Sequence, residues 1–393
     1  MADKPFSYTA SQQVRKDLSF GKMNWKIAED QYKQGSYLDA LCSTITYIDA
    51  EIGAQFKKDP KTGVKISHGS VQMNIVLNDG QLQVLAPFVD IANAQKLIIL
   101  RKICELNFSG LTLAKIECRE DTLCFLFSCP LQACEPWKIY DVLKEICWTA
   151  DKYDDDFVVL HSATWLYEPN IVAFSEARKQ QSWLGFKQYL AEAKEWIGYW
   201  KQLGYTYIVW DVVYLTIMKI DHLCAPQGSL KNSMETAFNR LFEKRDINDL
   251  ANDGIAFLNS LDNLPQSAFF SQLYDISIFI PAKITGSAAN IQAALKQPLT
   301  DAYTSLGKNE IITAYLYLQK AVFRLLYNYR FNEAQWQQLE SILPGNELLS
   351  LPDASNKLYN ALNEFYSNPR DQFAVTAPDK KEEKKSLFSG WFS

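Results

Sequence analysis

The feature that most constrains this fold is a tight turn set between two alternating segments. Over residues 70–77, Val71, Met73, Ile75 and Leu77 alternate with Gln72, Asn74 and Val76, so one face of the stretch is apolar. Asn78-Asp79-Gly80 follows at once. Asn and Asp tolerate left-handed backbone angles and Gly adopts them without a side-chain clash, which is the chemistry a tight hairpin requires. The returning strand is expected over residues 81–86. Further on, residues 123–127 (Leu-Cys-Phe-Leu-Phe) are apolar on both faces, the mark of a central strand covered on both sides.

Helical patterns flank these strands. Residues 24–56 read as two helices broken at Gly35, with Trp25, Ala28 and Tyr32 striping the first and Leu38, Leu41, Ile45 and Ile48 the second. The stretch from Tyr32 to Leu41 resembles the turn of a tetratricopeptide repeat, where Gly permits the tight interhelix turn and a small Ala permits close packing. One such unit cannot form a solenoid and is expected to pack on its neighbour. Short strands then start at Val64, Ser70 and Gln81, and residues 91–107 form a helix whose apolar face is broad, with Ala94, Leu97, Ile98, Leu100, Ile103, Cys104 and Leu106. A second hairpin is expected over residues 111–118 and 122–129. Pro136 suits the first turn of a helix over residues 137–153.

The order is therefore helix, three strands, helix, two strands, helix. In this the chain resembles the type III secretion chaperone-like fold, shared by class I secretion chaperones and YbjN-type proteins. The resemblance covers residues 37–156. It is carried by Ile103-Cys104-Glu105-Leu106-Asn107-Phe108, by Leu111 and Leu113 on a strand, and by Leu123, Phe125 and Phe127 ahead of Cys129-Pro130-Leu131. It implies a bacterial cytosolic protein that holds an extended segment of a client, and a module that forms a homodimer. Class I chaperones are small and free-standing. This chain adds a large second half, which favours an adaptor or scaffold over a dedicated chaperone.

Asp154-Asp155-Asp156 reads as a solvated turn after the helix, and residues 157–167 as an edge strand or a crossover. Glu168-Pro169-Asn170 marks a domain boundary. Helical patterns then cover residues 176–203, 205–222, 230–244, 246–261, 266–279, 288–306, 309–329, 332–343 and 354–366, with short breakers that favour antiparallel neighbours in a bundle. The expected organisation is α+β: a flexible N-terminus (1–22), a chaperone-like α-βββ-α-ββ-α module (23–168), an all-helical bundle domain (169–367) and a disordered tether (368–393). The tether ends in an aromatic motif, where Leu387, Phe388, Trp391 and Phe392 fall at helical spacing beside four lysines. Those four residues are the expected partner-binding site, for a protein groove or a membrane surface.

Composition narrows the function. A net charge of −5 over 393 residues gives no basic field for gripping phosphates, so no nucleic-acid partner is expected. No secretory signal is apparent in residues 1–22, and Asp211, Lys219, Asp221 and His222 interrupt the most apolar helix, which reads as buried and not as membrane-spanning. The eight cysteines suit reduced, packed thiols. Cys118, Cys124, Cys129 and Cys134 match no zinc spacing. Phosphate loops, dinucleotide-binding glycines and H-E-x-x-H are missing, so no catalytic, cofactor or metal residues are expected. The leading expectation is a non-enzymatic protein-binding adaptor in the cytosol. One alternative is an enzyme with an interdomain site using Asp211 with His161 or His222; another is a membrane-peripheral structural protein anchored by its tail.

Overall fold

The computed structural model describes residues 4–13, 22–168, 171–276, 278–281 and 283–370. The fold is α+β, a small antiparallel sheet with its helices followed by a helical bundle. Helices α1 (Lys22–Lys33), α2 (Tyr37–Ile48) and α3 (Ala50–Lys58) precede the sheet. The sequence suggested two helices here. The extra break falls at Asp49, an extended residue whose carboxylate accepts the N–H groups of Glu51 and Ile52 and so starts a new helix.

Strands β1 (Val64–His68), β2 (Val71–Asn78) and β3 (Gln81–Asp90) form a meander, and Asp79 and Gly80 both take positive φ, as a two-residue hairpin demands. Helix α4 (Lys96–Glu105) runs into a π-helical turn, Leu106–Gly110, ahead of β4 (Lys115–Arg119) and β5 (Thr122–Pro130). The sheet order is β1-β2-β3-β5-β4, which puts the doubly apolar β5 between two neighbours. Helix α5 (Pro136–His161) packs on the sheet, and β6 (Thr164–Trp165) pairs with the end of β3 beyond the reach of β2.

Glu145 on α5 ties the sheet edge down. Its carboxylate, 6% exposed, accepts the N–H groups of Thr112, Leu113 and Ala114 at 2.6, 3.0 and 2.7 Å. Those donors lie just before β4 and have no strand partner of their own. A buried N–H left unpaired is costly, so one side chain fixes the approach to an edge strand.

The second half begins with β7 (Ile171–Ala173) and continues through α6 (Glu176–Gln202), α7 (Thr206–Cys224), α8 (Gly228–Arg240), α9 (Ile247–Asp262) and α10 (Gln266–Phe270). The helix expected over residues 266–279 stops at Phe270, because β8 (Tyr274–Ile276) pairs antiparallel with β7. After β9 (Ile284–Thr285) come α11 (Ala288–Gly307), α12 (Ile311–Asn328), β10 (Tyr329–Arg330), α13 (Glu333–Ile342) and α14 (Leu351–Ser367). Helix α7 is the axis of this half and packs against α6, α9 and α12. No helix among the described residues is long and apolar enough to cross a membrane.

Each half takes in a segment from elsewhere in the chain. Phe279 and Ile280, from the helical half, are buried in the core of the sheet half. His68 at the end of β1 fixes that insertion: its Nδ1 accepts the N–H of Phe279 at 3.0 Å. Residues 4–13, read from sequence as flexible, run as an extended strap across the helical half, with Phe6 in its core.

Candidate functional site

Asp154, Asp155 and Asp156 do not form the turn that the sequence suggested. Helix α5 runs through them to His161 and ends on Ser162, which has φ +60°. The acidic run is tolerated in a helix because its carboxylates and that of nearby Asp151 have partners on other elements. Asp151 pairs with Lys231 on α8 at 2.6 Å, the Ser70 hydroxyl donates to Asp154, and the Tyr274 hydroxyl donates to Asp155 at 3.4 Å. Burial, together with the neighbouring Asp155, pushes Asp154 well above the usual carboxylate range. Burial and Asp151 bring Asp155 up to about 6. Burial lowers His68 to about 4, so it is neutral near pH 7, as its acceptor role requires. Lys231 lies above its ordinary value; burial opposes this, but Asp151 and Glu235 outweigh it. The junction between the halves thus holds the Asp151–Lys231 ion pair and buried polar contacts beside the inserted Phe279 and Ile280.

At the edge of this junction a cavity of about 330 Å³ opens between the π-helical turn, α5 and α8, lined by Lys102, Glu105, Ser109, Lys152, Tyr153 and Asn239 among others. Burial lowers Lys152. π-helical turns recur at functional sites because the extra residue re-aims side chains and frees backbone groups.

The same turn leads along α4 to an apolar face. The N–H of Gln95 donates to the carbonyl of His161 at 2.9 Å, which sets the first turn of α4 against the last turn of α5. Leu97 and Ile98 on the one, and Val159 and Leu160 on the other, are exposed there by 84%, 49%, 62% and 57%. Along α4 the outward positions continue through Arg101 and Cys104 to Phe108 in the π-helical turn, which is 92% exposed. Single exposed leucines are ordinary; several large apolar side chains around one helix junction are not. The sequence signal was the breadth of the apolar pattern over residues 91–107, which exceeds what one sheet-facing stripe can bury.

The residues proposed for an enzymatic alternative do not come together. Asp211 bonds Lys320 on α12 at 2.5 Å, beside Trp210 and Tyr317, and burial raises it above the ordinary carboxylate range. His222 lies three turns further along the same helix, roughly 16 Å at 1.5 Å per residue. Its Nε2 lies 3.4 Å from the Tyr8 hydroxyl, and Phe323 and Trp336 flank its ring. His161 belongs to the other half, at the end of α5. Replacing Asp211 by Asn should leave the Lys320 ammonium without its anion and lower stability by about 1–2 kcal/mol, read as a shift in urea midpoint.

Of the four cysteines considered as ligands, Cys129 and Cys134 approach to 3.5 Å between sulfurs, while Cys118 bonds the Glu120 carbonyl elsewhere. No group of three or more His, Cys, Asp or Glu side chains able to hold a metal occurs among the described residues. The expected partner motif, Leu387, Phe388, Trp391 and Phe392, lies outside the described residues. Comparison of the chain with protein-family models, with curated proteins and with solved structures finds no match.

Proposed function

We propose that this protein is a non-enzymatic adaptor or chaperone-like scaffold that holds a client protein on the α4–α5 face of its sheet half. The observation that carries this reading is the exposed cluster of Leu97, Ile98, Val159 and Leu160, with Phe108 further along α4. Burying such a cluster at about 25 cal/mol per Å² gives a protein contact most of its driving force. The α-βββ-α-ββ-α order of the module and its resemblance to secretion chaperones support the same reading. The client it fits is a segment with apolar side chains for this face. The C-terminal motif around Trp391 and Phe392 holds a second partner, which makes the chain a bridge in the cytosol.

Leu97→Asp with Leu160→Asp tests this directly, since both positions are exposed and the double variant should keep the wild-type urea midpoint. Affinity purification from the source organism, compared by quantitative mass spectrometry, should show at least one partner reduced tenfold or more. An unchanged partner set with both substitutions in a folded chain would overturn the assignment. Removing residues 386–393 should remove a different partner, and an unchanged set there would overturn the bridging role alone.

A further inference from the structure

The strap over the helical half has the chemistry of a bound peptide. Its main chain is read by side chains. The N–H of Phe6 donates to the Tyr315 hydroxyl at 2.7 Å, that of Ser7 to the Glu192 carboxylate at 3.2 Å, and that of Thr9 to the Tyr189 hydroxyl at 2.8 Å. Further along, the N–H of Gln12 donates to the Leu223 carbonyl at 2.6 Å, and the Arg178 guanidinium holds the Gln12 carbonyl at 2.9 Å. One aromatic anchor enters the bundle: the Phe6 ring stacks on Trp196 with centroids 4.4 Å apart.

The floor of this groove is unlike a core. Lys219, 2% exposed, lies under the strap with its ammonium 4.8 Å from the Phe6 ring, 4.0 Å from the Tyr189 ring and 3.3 Å from Glu192. Burying a cation and a carboxylate is costly, and apolar residues of similar volume are often as stable or more so. Stability alone therefore gives no reason for this arrangement. Recognition of a main chain does: extended backbone presents N–H groups that only oxygen acceptors at fixed positions can satisfy. Gly185 in α6 gives the strap room, since a Cβ there would lie 3.2 Å from the Thr9 methyl and 2.9 Å from Leu223. The strap is also free of helix and sheet, so its removal breaks no strand pairing.

We propose that the helical half is a receptor for an extended peptide with an aromatic anchor, and that residues 4–13 are its resident, displaceable occupant. The partner is a protein segment carrying Phe, or a ring like it, where Phe6 sits, with a second aromatic residue two positions on, as Tyr8 is. Specificity comes from the Trp196–Tyr315 slot and from the Tyr8 and Ser11 hydroxyls, which meet the His222 ring and the His222 carbonyl. The intact chain occludes its own groove until a competing segment takes it.

The probe is a fluorescein-labelled peptide of residues 2–13, together with its Phe6→Ala version. A protease site introduced within residues 14–21 allows the strap to be cut from the folded full-length chain. The cut chain should bind the labelled peptide saturably, the Phe6→Ala peptide at least tenfold more weakly, and the uncut chain should bind the labelled peptide at least tenfold more weakly than the cut one. Phe6→Ala in the uncut chain should restore binding. Lys219 should react with a small amine-acylating reagent faster in the cut chain, and addition of unlabelled peptide should suppress that gain. A cut chain that stays folded without exchanging peptide, or that unfolds on cutting, would overturn the proposal, because the strap would then be an inseparable part of the core. A doubling of mass by light scattering at tens of micromolar would assign the groove to a second copy and overturn the choice of partner.

Discussion

Glu145→Ala is expected to lower the unfolding free energy by about 2–3 kcal/mol. The substitution leaves the buried N–H of Ala114 without an acceptor, while those of part-buried Leu113 and exposed Thr112 lose a charged acceptor but can reach water. Each buried polar group deprived of its partner costs about 1–3 kcal/mol, and donors to a charged acceptor lie at the upper end. The costs do not add fully, because the loop can move toward water and recover part of the loss. That movement has its own consequence: it frees the approach to β4, the edge strand paired with β5. Glu145→Gln keeps one acceptor oxygen and should lose roughly half as much. Urea unfolding at pH 7, followed by circular dichroism, checks both. A loss below about 1 kcal/mol for Glu145→Ala would mean that water replaces the carboxylate.

His68→Asn should shift the pH dependence of stability toward greater stability in acid, relative to the native chain. Asn keeps an acceptor for the Phe279 N–H but does not titrate. In the folded chain burial holds His68 at about 4, against 6.5 when unfolded, so between those values the unfolded state binds more protons. The stability contributed by neutral His68 is therefore present above pH 6.5 and lost as the pH falls through 4, a span equivalent to about 3 kcal/mol. Asp155 works the other way. Its folded value of about 6 lies above the 3.8 of the unfolded chain, so its contribution is present below 3.8 and lost as the pH rises through 6. Asp154 is displaced in the same direction as Asp155. In the native chain these slopes oppose each other between pH 4 and 6.5. Relative to the native chain, His68→Asn should gain stability on acidification from pH 7 to 4.5 and Asp155→Asn should lose it. Superimposable curves for all three chains would contradict the arrangement at the junction.

These effects explain which parts of the fold could be read from sequence. The Asn78-Asp79-Gly80 hairpin was readable because everything that determines it lies within a few residues: alternation on each side and positive φ in between. The acidic run was misread because what keeps it helical is distant. Ser70, Lys231 and Tyr274 are 84, 80 and 119 residues from the carboxylates they bind. The helix expected over residues 266–279 failed for the same reason, since β8 finds its partner in β7, on the far side of α6 to α10.

The candidate surfaces were readable in unequal measure. Leu97 and Ile98 were visible as apolar residues, but only the packing of α4 on α5 shows that they face outward. Phe6-Ser7-Tyr8 carries no periodicity at all, and its receptor is assembled from α6, α7 and α12, more than 160 residues away. A short extended ligand leaves almost no trace in its own sequence. The trace lies instead in its groove, as Lys219 in a helix that otherwise reads as core.

The central claim is that the α4–α5 face is where a client docks, and site-specific photo-crosslinking tests it most directly. Leu97 and Leu348 are both 84% exposed, the first on this face and the second on the helical half, so a photoreactive residue placed at either position sees solvent equally. Irradiation in cells of the source organism should give a discrete protein adduct from position 97 and none of that mass from position 348. The adduct should vanish when Leu160→Asp is added. No adduct from position 97, or the same adducts from both positions, would contradict the claim.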